Sequence, residues 1–141
     1  MRDLVSNFGF QPAFIGSLSA DNTPVAIDRL GYESVGILLY VGPGGITFTN
    51  TNKVEFKLTH SDDDITYVDV TDDDVHGVTG VTTGIVNSLK TAHAADTVTK
   101  IGYVGDKRYL KLLADFGGTH GSGTPMAGLV VLGHGRSRPV A

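Results

Sequence analysis

The densest group of chemically active side chains is acidic and lies in the middle of the chain. Seven aspartates and no basic residue occur between Asp62 and Asp74. Because hard cations such as calcium prefer several oxygen ligands, this density raises a calcium-binding hypothesis. The spacing does not match an EF-hand loop, which needs aspartates at alternating positions, a glycine and a distal glutamate. The sequence leaves two interpretations open, a cation site or solvated turn carboxylates, and it favours the turns.

The other side chains that commonly do chemistry are scattered. Ser122 lacks the first glycine of a Gly-x-Ser-x-Gly nucleophile elbow. The glycine-rich run at 42–45 is not followed by the Gly-Lys-Ser/Thr of a phosphate-binding loop. The histidines form no His-x-x-x-His or Glu-x-x-His pair, so none has zinc-binding spacing: His60, His76, His93, His120 and His134. Nothing in these patterns requires an enzyme, a metal or a cofactor.

Length, charge and cysteine content limit the classes of protein that fit. The chain has 141 residues, a formal net charge of −4 and no cysteine. This length suits one domain with a single core, and the lack of cysteine excludes disulfides and thiolate metal sites. An acidic total argues against a nucleic-acid binder, which neutralises phosphates with clustered basic residues. No apolar run reaches the ~20 residues that span a bilayer, and the N-terminus lacks a signal-peptide pattern, so we expect a soluble protein.

Nineteen glycines and many β-branched residues favour strands over helices. Residues 100–116 predict a β-hairpin, with strands at 101–104 and 108–116 joined by a two-residue turn at Gly105-Asp106. Side chains alternate along a strand, so Leu110 and Leu112 should face the core. We expect this hairpin to be the centre of a sheet.

Further segments predict the remaining strands. Residues 24–30 and 54–61 alternate between apolar and polar side chains, which is typical of half-buried strands. Residues 34–41 are almost continuously apolar, which predicts a central strand buried on both faces. The aspartates that follow residue 61 predict a turn into a second hairpin strand at 65–70. Residues 126–132 predict a last, well-buried strand.

The two ends and one internal segment are less regular. Helical spacing of apolar residues within 85–95 allows at most one short helix. Residues 1–16 predict an extended N-terminal arm or an edge strand, whose aromatic side chains pack on their own domain or dock on a neighbouring subunit. Residues 134–141 form a basic tail. The whole pattern predicts an all-β fold, a jelly-roll-like antiparallel β-sandwich of seven or eight strands over residues 17–133.

Four stretches of the sequence carry a likeness to a known family. They are VAIDRLGYESVGILLYVG at 25–42, LTHSDDDITYVDV at 58–70, GYVGDKRYLKL at 102–112 and VVLGHGRSRPVA at 130–141. In these motifs the chain resembles the small capsid cement, or decoration, proteins encoded beside the major capsid gene of tailed bacteriophages. The resemblance covers residues 25–70 and 100–141, whereas residues 75–99 carry no motif of the family.

The resemblance implies a structural role outside an icosahedral phage head. Such a protein is a jelly-roll sandwich that ties neighbouring subunits of the major capsid protein together against the pressure of the packaged DNA. It therefore works on the exterior of the virion without an active site, a metal or a cofactor. Binding the assembled shell and not the free subunit stabilises the shell by linkage.

The chain ends are the expected partner-binding segments, because they are free to reach across a subunit boundary. In the arm these residues are Phe8, Phe10 and Phe14, and in the tail they are Arg136 and Arg138. Arginine pairs bidentately with carboxylates on a partner surface. A solvated tail without a partner is the alternative for the two arginines.

Self-association and a second class of function complete the expectations. An edge strand such as 65–70 could pair across a two-fold axis, so a homodimer is expected, with a trimer next. The alternative function is a carbohydrate-binding or host-attachment jelly roll that uses Tyr32, Tyr40 and Tyr67 as sugar platforms, with calcium at the aspartates. The absence of tryptophan counts against that alternative, since a flat aromatic is the usual platform.

Overall fold

The computed structural model describes residues 3–137, which form two antiparallel five-stranded sheets. The strands are β1 (Gly9–Leu18), β2 (Ile27–Asp28), β3 (Tyr32–Val41), β4 (Lys53–Ser61), β5 (Val68–Asp69), β6 (Val75–His76), β7 (Ile85–Leu89), β8 (Thr97–Tyr103), β9 (Tyr109–Gly117) and β10 (Thr124–Gly135). The helical segments among the described residues are two 3₁₀ turns, Val5–Asn7 and Asp72–Asp74. The predicted all-β antiparallel sandwich is confirmed, with ten strands in residues 3–137 where seven or eight were predicted, because β2, β5 and β6 are short edge pieces of two residues each.

The strand order explains how the sandwich closes. Sheet A has the order β1-β10-β3-β8-β6. Sheet B has the order β2-β9-β4, and both β5 and β7 pair along the outer edge of β4. Successive described strands lie in opposite sheets, except β4 and β5. This crossing connectivity is of the jelly-roll kind.

The predicted hairpin at 100–116 is wrong, although both of its strands exist. β8 lies in sheet A and β9 lies in sheet B, so the segment between them arches across the sandwich. Gly105 does not adopt the positive φ that a two-residue hairpin turn requires. Instead the Arg29 guanidinium donates hydrogen bonds to the carbonyls of Gly105 and Lys107, at 3.3 and 2.6 Å, which holds the arch against β2.

The second predicted hairpin is confirmed, but it is shorter than expected. β4 pairs with β5 through Thr59 and His60, and β5 contains only Val68–Asp69. The short helix allowed within 85–95 is absent from the described residues. Ile85–Leu89 is β7 instead: it pairs with β4 through a register shift, and Val86 and Leu89 are buried against the core.

The core lies between the two sheets and is apolar. It contains the inward residues Leu110 and Leu112 of β9, as predicted, and Val54, Phe56 and Leu58 of β4. The nearly continuous apolar segment of the prediction, 34–41, is β3 at the centre of sheet A, but it is not buried on both faces. Its buried residues alternate with residues that are half-buried or exposed, since nothing in the described chain covers the outer side of sheet A.

A loop protects the free edge of β9. The Asn22 side chain accepts a hydrogen bond from the Ala114 amide at 2.7 Å and donates one to the Leu112 carbonyl at 3.2 Å. The Asp21 carboxylate accepts one from the Phe116 amide at 2.7 Å. These side chains occupy backbone groups that an added strand would need, so this edge is not available for strand pairing.

The chain ends are part of the sandwich. Residues 9–18 form β1, the edge strand of sheet A, so the edge-strand alternative for the N-terminal segment is the one that the structure supports. Pro12 and a bulge between Pro12 and Phe14 interrupt that strand, which blunts its open edge. The tail begins later than predicted, because β10 continues to Gly135.

Candidate interaction surface

The outer side of sheet A carries a continuous apolar surface. The outward residues of β1, β10, β3 and β8 stand in three rows that run in register across the four strands. From β1 to β8 the rows are Phe10, Val131, Gly36 and Gly102; then Pro12, Leu129, Leu38 and Lys100; then Ile15, Ala127, Tyr40 and Val98. We call these residues the apolar face. Lys100 is the single charged residue among them.

Large side chains on this face are open to solvent. Ile15 is 71% exposed, Val98 is 61% exposed and Phe10 is 53% exposed. With strands about 4.8 Å apart and rows about 6.8 Å apart, the face covers on the order of 400 Å² in plan. The largest apolar patch on a soluble monomer is typically about 300–600 Å² and is often functional.

The outer side of sheet B has the opposite character. Its charged side chains pair with one another: Lys53 and Lys90 each lie 2.9 Å from the Glu55 carboxylate, and Lys57 lies 3.1 Å from Asp69. Such self-paired surface charges suit contact with water. The two outer faces of the sandwich therefore differ in polarity, and the apolar face of sheet A is the candidate interaction surface.

A shallow trough crosses the apolar face where two glycines lie side by side. Gly36 of β3 pairs in register with Gly102 of β8. A Cβ atom on Gly36 would meet no other atom within 4 Å, which shows that the space above it is open. The trough has a volume of about 490 Å³, and Val131 and His76 stand on its two sides. It can accept an apolar side chain from a partner.

The predicted aromatic contacts of the N-terminal segment separate into two groups. Phe10 belongs to the apolar face, and the half-buried Phe8 ring lies over Gly133 at the end of the same face. Phe14 is buried and stacks on Phe56 with ring centroids 6.2 Å apart. The expectation that Phe14 contacts a partner is therefore wrong, since the bulge in β1 turns its ring into the core.

The predicted basic contacts lie at one end of the sandwich. Arg136 is exposed, and its guanidinium donates a hydrogen bond to the Glu33 carboxylate at 2.6 Å. Nearby, the Arg108 guanidinium donates two hydrogen bonds to the Asp28 carboxylate, at 2.8 and 2.7 Å. These bonds lower the pKa of the Asp28 carboxyl. Arg138 lies outside the described residues. Arg136 is thus held by its own chain at this end, beside a small cleft of about 190 Å³.

The acidic segment is built into turns. Amide groups of Thr66 and Ile65 and the hydroxyl of Ser61 donate to the Asp63 carboxylate, which lowers the pKa of Asp63 to about 2. Asp74 accepts hydrogen bonds from the Thr71 amide and hydroxyl. Between residues 3 and 137 no group of three or more His, Asp or Glu side chains is placed to hold a metal ion. The turn interpretation therefore accounts for these carboxylates.

The tyrosines suggested as sugar platforms do not lie together. Tyr40 belongs to the apolar face, and its hydroxyl donates to the Asp96 carboxylate at 2.9 Å. Tyr67 lies at the other sheet, where the Lys111 ammonium sits 4.1 Å from its ring centroid. Its hydroxyl donates to Asp64 at 2.5 Å. A sugar platform needs an open ring face, and the ring of Tyr67 is already occupied.

One histidine is an internal part of the fold. His60 is buried, and its Nδ1 lies 2.8 Å from the Tyr103 hydroxyl. That hydroxyl also accepts a hydrogen bond from the Lys107 amide at 3.1 Å, so Tyr103 links His60 to the arch between β8 and β9. Burial lowers the pKa of His60, and the charged groups around it are Asp74, Lys107, Asp106 and Asp62.

This arrangement predicts a loss of stability in mild acid. The pKa of His60 in the folded chain lies below the ~6.5 of an unfolded chain, so the unfolded state binds a proton first as the pH falls. The contribution of His60 is complete above pH ~6.5 and declines below it. We expect urea unfolding to show a larger drop in the free energy of unfolding between pH 7.5 and 5 for the native chain than for His60→Gln. Parallel pH curves for the two proteins would contradict this role.

Sequence reasoning missed most of the apolar face. It chose Phe10 but not Leu38, Leu129 or Val131, which form the middle of the surface. The sequence did contain a signal for this face. In residues 34–41 and 126–132 apolar side chains occur at both odd and even positions, and therefore on both faces of each strand. In an antiparallel sandwich such a strand has a second apolar side that needs a partner outside the two sheets.

The comparisons with known proteins leave this surface as the main guide to function. No protein-family model, curated protein or solved structure matches the chain. Within residues 3–137 no helix has the length and hydropathy needed to cross a bilayer. Function is therefore inferred from the residues and geometry of this chain.

Proposed function

We propose that this protein is a structural protein of a bacteriophage virion, a cement protein that binds the outer surface of an icosahedral head. It holds neighbouring copies of the major capsid protein together and so stabilises the shell against the pressure of packaged DNA. The role consists of binding alone and needs no cofactor, nucleic acid or membrane. Its place is the exterior of the capsid, after synthesis in the host cytoplasm.

The apolar face is the observation that carries this proposal. A protein with about 400 Å² of exposed apolar sheet is built for contact with other proteins, because water is a poor solvent for that surface. The outer side of sheet B stays charged and self-paired, so one side of the molecule suits assembly and the other suits solvent. The motifs at 25–70 and 100–141 that resemble cement proteins support a phage head as the assembly that this surface contacts.

The ionisable groups of the molecule also fit a binding role. The cleft at the arginine end contains Arg108 and Arg136, and each is paired with a carboxylate of its own chain. His60 is buried inside the sandwich, where it supports the arch between β8 and β9 through Tyr103. Each of these groups stabilises the fold through a partner on its own chain.

Co-sedimentation with phage heads tests the proposal. Purified, expanded heads that lack the protein are mixed with the full chain, pelleted and analysed for bound protein. We expect near-stoichiometric occupancy and a higher melting temperature of the shell, because binding to the assembled state stabilises it. An icosahedral shell of an unrelated virus serves as the control. Failure to pellet with any head, together with unchanged shell melting, would contradict the function.

A further inference from the structure

We infer that the apolar face binds the same face of a second copy of this chain, so that the working unit is a two-fold dimer stacked through sheet A. The inference names a partner for the surface on which the proposed function depends. The dimer itself does not require a capsid to form, and only the role that we give to it rests on the proposed function. The evidence is the distribution of large and small side chains over the face.

The geometry follows from a two-fold axis that runs parallel to the strands, midway between β10 and β3. Rotation about this axis lays β1 of one copy over β8 of the other, and β10 over β3, with each row kept in line. Two sheets pack in this way about 10 Å apart, with a rotation of about 30° that comes from their twist. The contact is isologous, so each pairing occurs twice.

Large residues then meet small ones. In the first row Phe10 lies over Gly102 and Val131 lies over Gly36, so both fill the trough of the second copy. In the third row Tyr40 lies over Ala127, whereas Ile15 lies over Val98, so two large apolar side chains meet at the edge. The face therefore carries projections and matching gaps at positions that the two-fold axis exchanges.

The second row supports the same orientation. Leu129 lies over Leu38 near the axis, and Lys100 lies over Pro12 at the edge. The lysine stem covers apolar surface there while its ammonium reaches solvent. An axis perpendicular to the strands would instead place Lys100 against Lys100, which sets like charges together.

The size of the face suits a second copy. A standard interface buries about 800 Å² per partner. The accessible area of the face exceeds its plan area of roughly 400 Å², because side chains stand above the sheet. Phe8 and His76 extend the surface beyond the three rows at either end. The face is thus about half of the standard area in plan, and its standing side chains and these two residues add to the area that a second copy would bury.

The dimer suits the proposed role because it presents two copies of each surface that lies outside the interface. Two copies stacked through sheet A present two arginine ends, each with Arg136 and Glu33. A dimer that contacts the capsid at two identical sites gains avidity, since the second contact forms intramolecularly.

The association state of the full chain and of matched glycine variants tests the inference by sedimentation velocity. Gly36→Val puts a side chain into open space on a strand, where valine is favoured, so each chain should keep its fold. The same side chain fills the gap that receives Val131 of the other copy. We expect a native dimer at micromolar concentration and a dissociation constant about tenfold or more higher for Gly36→Val.

Two controls complete the design. Gly121→Val places the same side chain in open space on a loop and should leave the dimer unchanged. Gly36→Val combined with Val131→Gly exchanges the large and small partners and should restore most of the affinity. A monomeric native chain, or a dimer that Gly36→Val does not weaken, would overturn the inference.

Cross-linking tests the orientation in a chain that contains no cysteine. A mixture of Phe10→Cys and Gly102→Cys should give a covalent dimer with a short bifunctional thiol reagent, and each variant alone should give far less. Sheets about 10 Å apart are too distant for a direct disulfide. Equal cross-linking by Phe10→Cys alone would overturn the parallel axis.

Head binding separates this inference from the proposed function. A dimer that ignores phage heads leaves the inference intact and removes the function. A monomer that binds heads, and loses that binding in Gly36→Val, assigns the apolar face to the shell and overturns the inference.

Discussion

Leu39→Ala is expected to lower the free energy of unfolding by about 2–5 kcal/mol, the range for a fully buried leucine that leaves a cavity. Leu39 lies at the centre of β3, is 0% exposed and points between the two sheets. The neighbouring strands β10 and β8 pair with it on both sides, so the surroundings have little freedom to collapse into the gap. Urea denaturation at one low protein concentration measures the change.

Leu30→Ala provides the matched control, because Leu30 is 62% exposed in the turn after β2. The same truncation there should change the free energy of unfolding by less than about 0.5 kcal/mol. Similar losses in the two variants would mean that the inner side of sheet A is not the core described above.

Gly84→Ala should be the second strongly destabilising change, at about 2–4 kcal/mol. Gly84 has φ of +76°, a conformation that costs an L-residue about 1–2 kcal/mol. A Cβ atom would also lie 2.7 Å from the Leu58 carbonyl oxygen. The backbone must then move, which strains the 2.8 Å hydrogen bond from the Leu58 amide to the Gly84 carbonyl at the start of β7.

Gly80→Ala separates the contact from the conformation. Gly80 has φ of +73°, but a Cβ atom there meets nothing within 4 Å. The free energy of unfolding of Gly80→Ala should therefore fall only by the conformational cost of about 1–2 kcal/mol. Thermal unfolding of both variants measures the difference, and a Gly84 variant as stable as the Gly80 variant would contradict the close approach to β4.

Local patterns in the sequence were enough to predict most of the long strands and their inward residues, although β6 and β7 were missed. The alternation over 54–61 predicted β4, and its inward residues Val54, Phe56 and Leu58 are all buried. These predictions succeeded because burial on one face of a strand depends on residues two positions apart. The acidic turn after β4 was also predicted from a local pattern, since the Asp63 carboxylate accepts hydrogen bonds from amides of its own turn.

Pairing between distant strands could not be predicted in this way. The sequence around Gly105 suggested a local hairpin, whereas Arg29, far away in the chain, fixes the arch that carries β9 into the other sheet. The apolar face likewise depends on pairing between distant strands. Phe10, Gly36 and Gly102 become neighbours in one row only through the register of four strands, which no local pattern encodes.

The alternation of successive strands between the two sheets also governs how the chain must fold. Almost every strand finds its pairing partners far along the sequence, and only β4 and β5 pair as sequence neighbours. Loop-closure entropy opposes such distant pairings, so folding is slow compared with a helical protein of this length, on the order of milliseconds to seconds. During that interval partly folded chains expose the core residues between the sheets in addition to the apolar face, and concentrated chains are then vulnerable to aggregation.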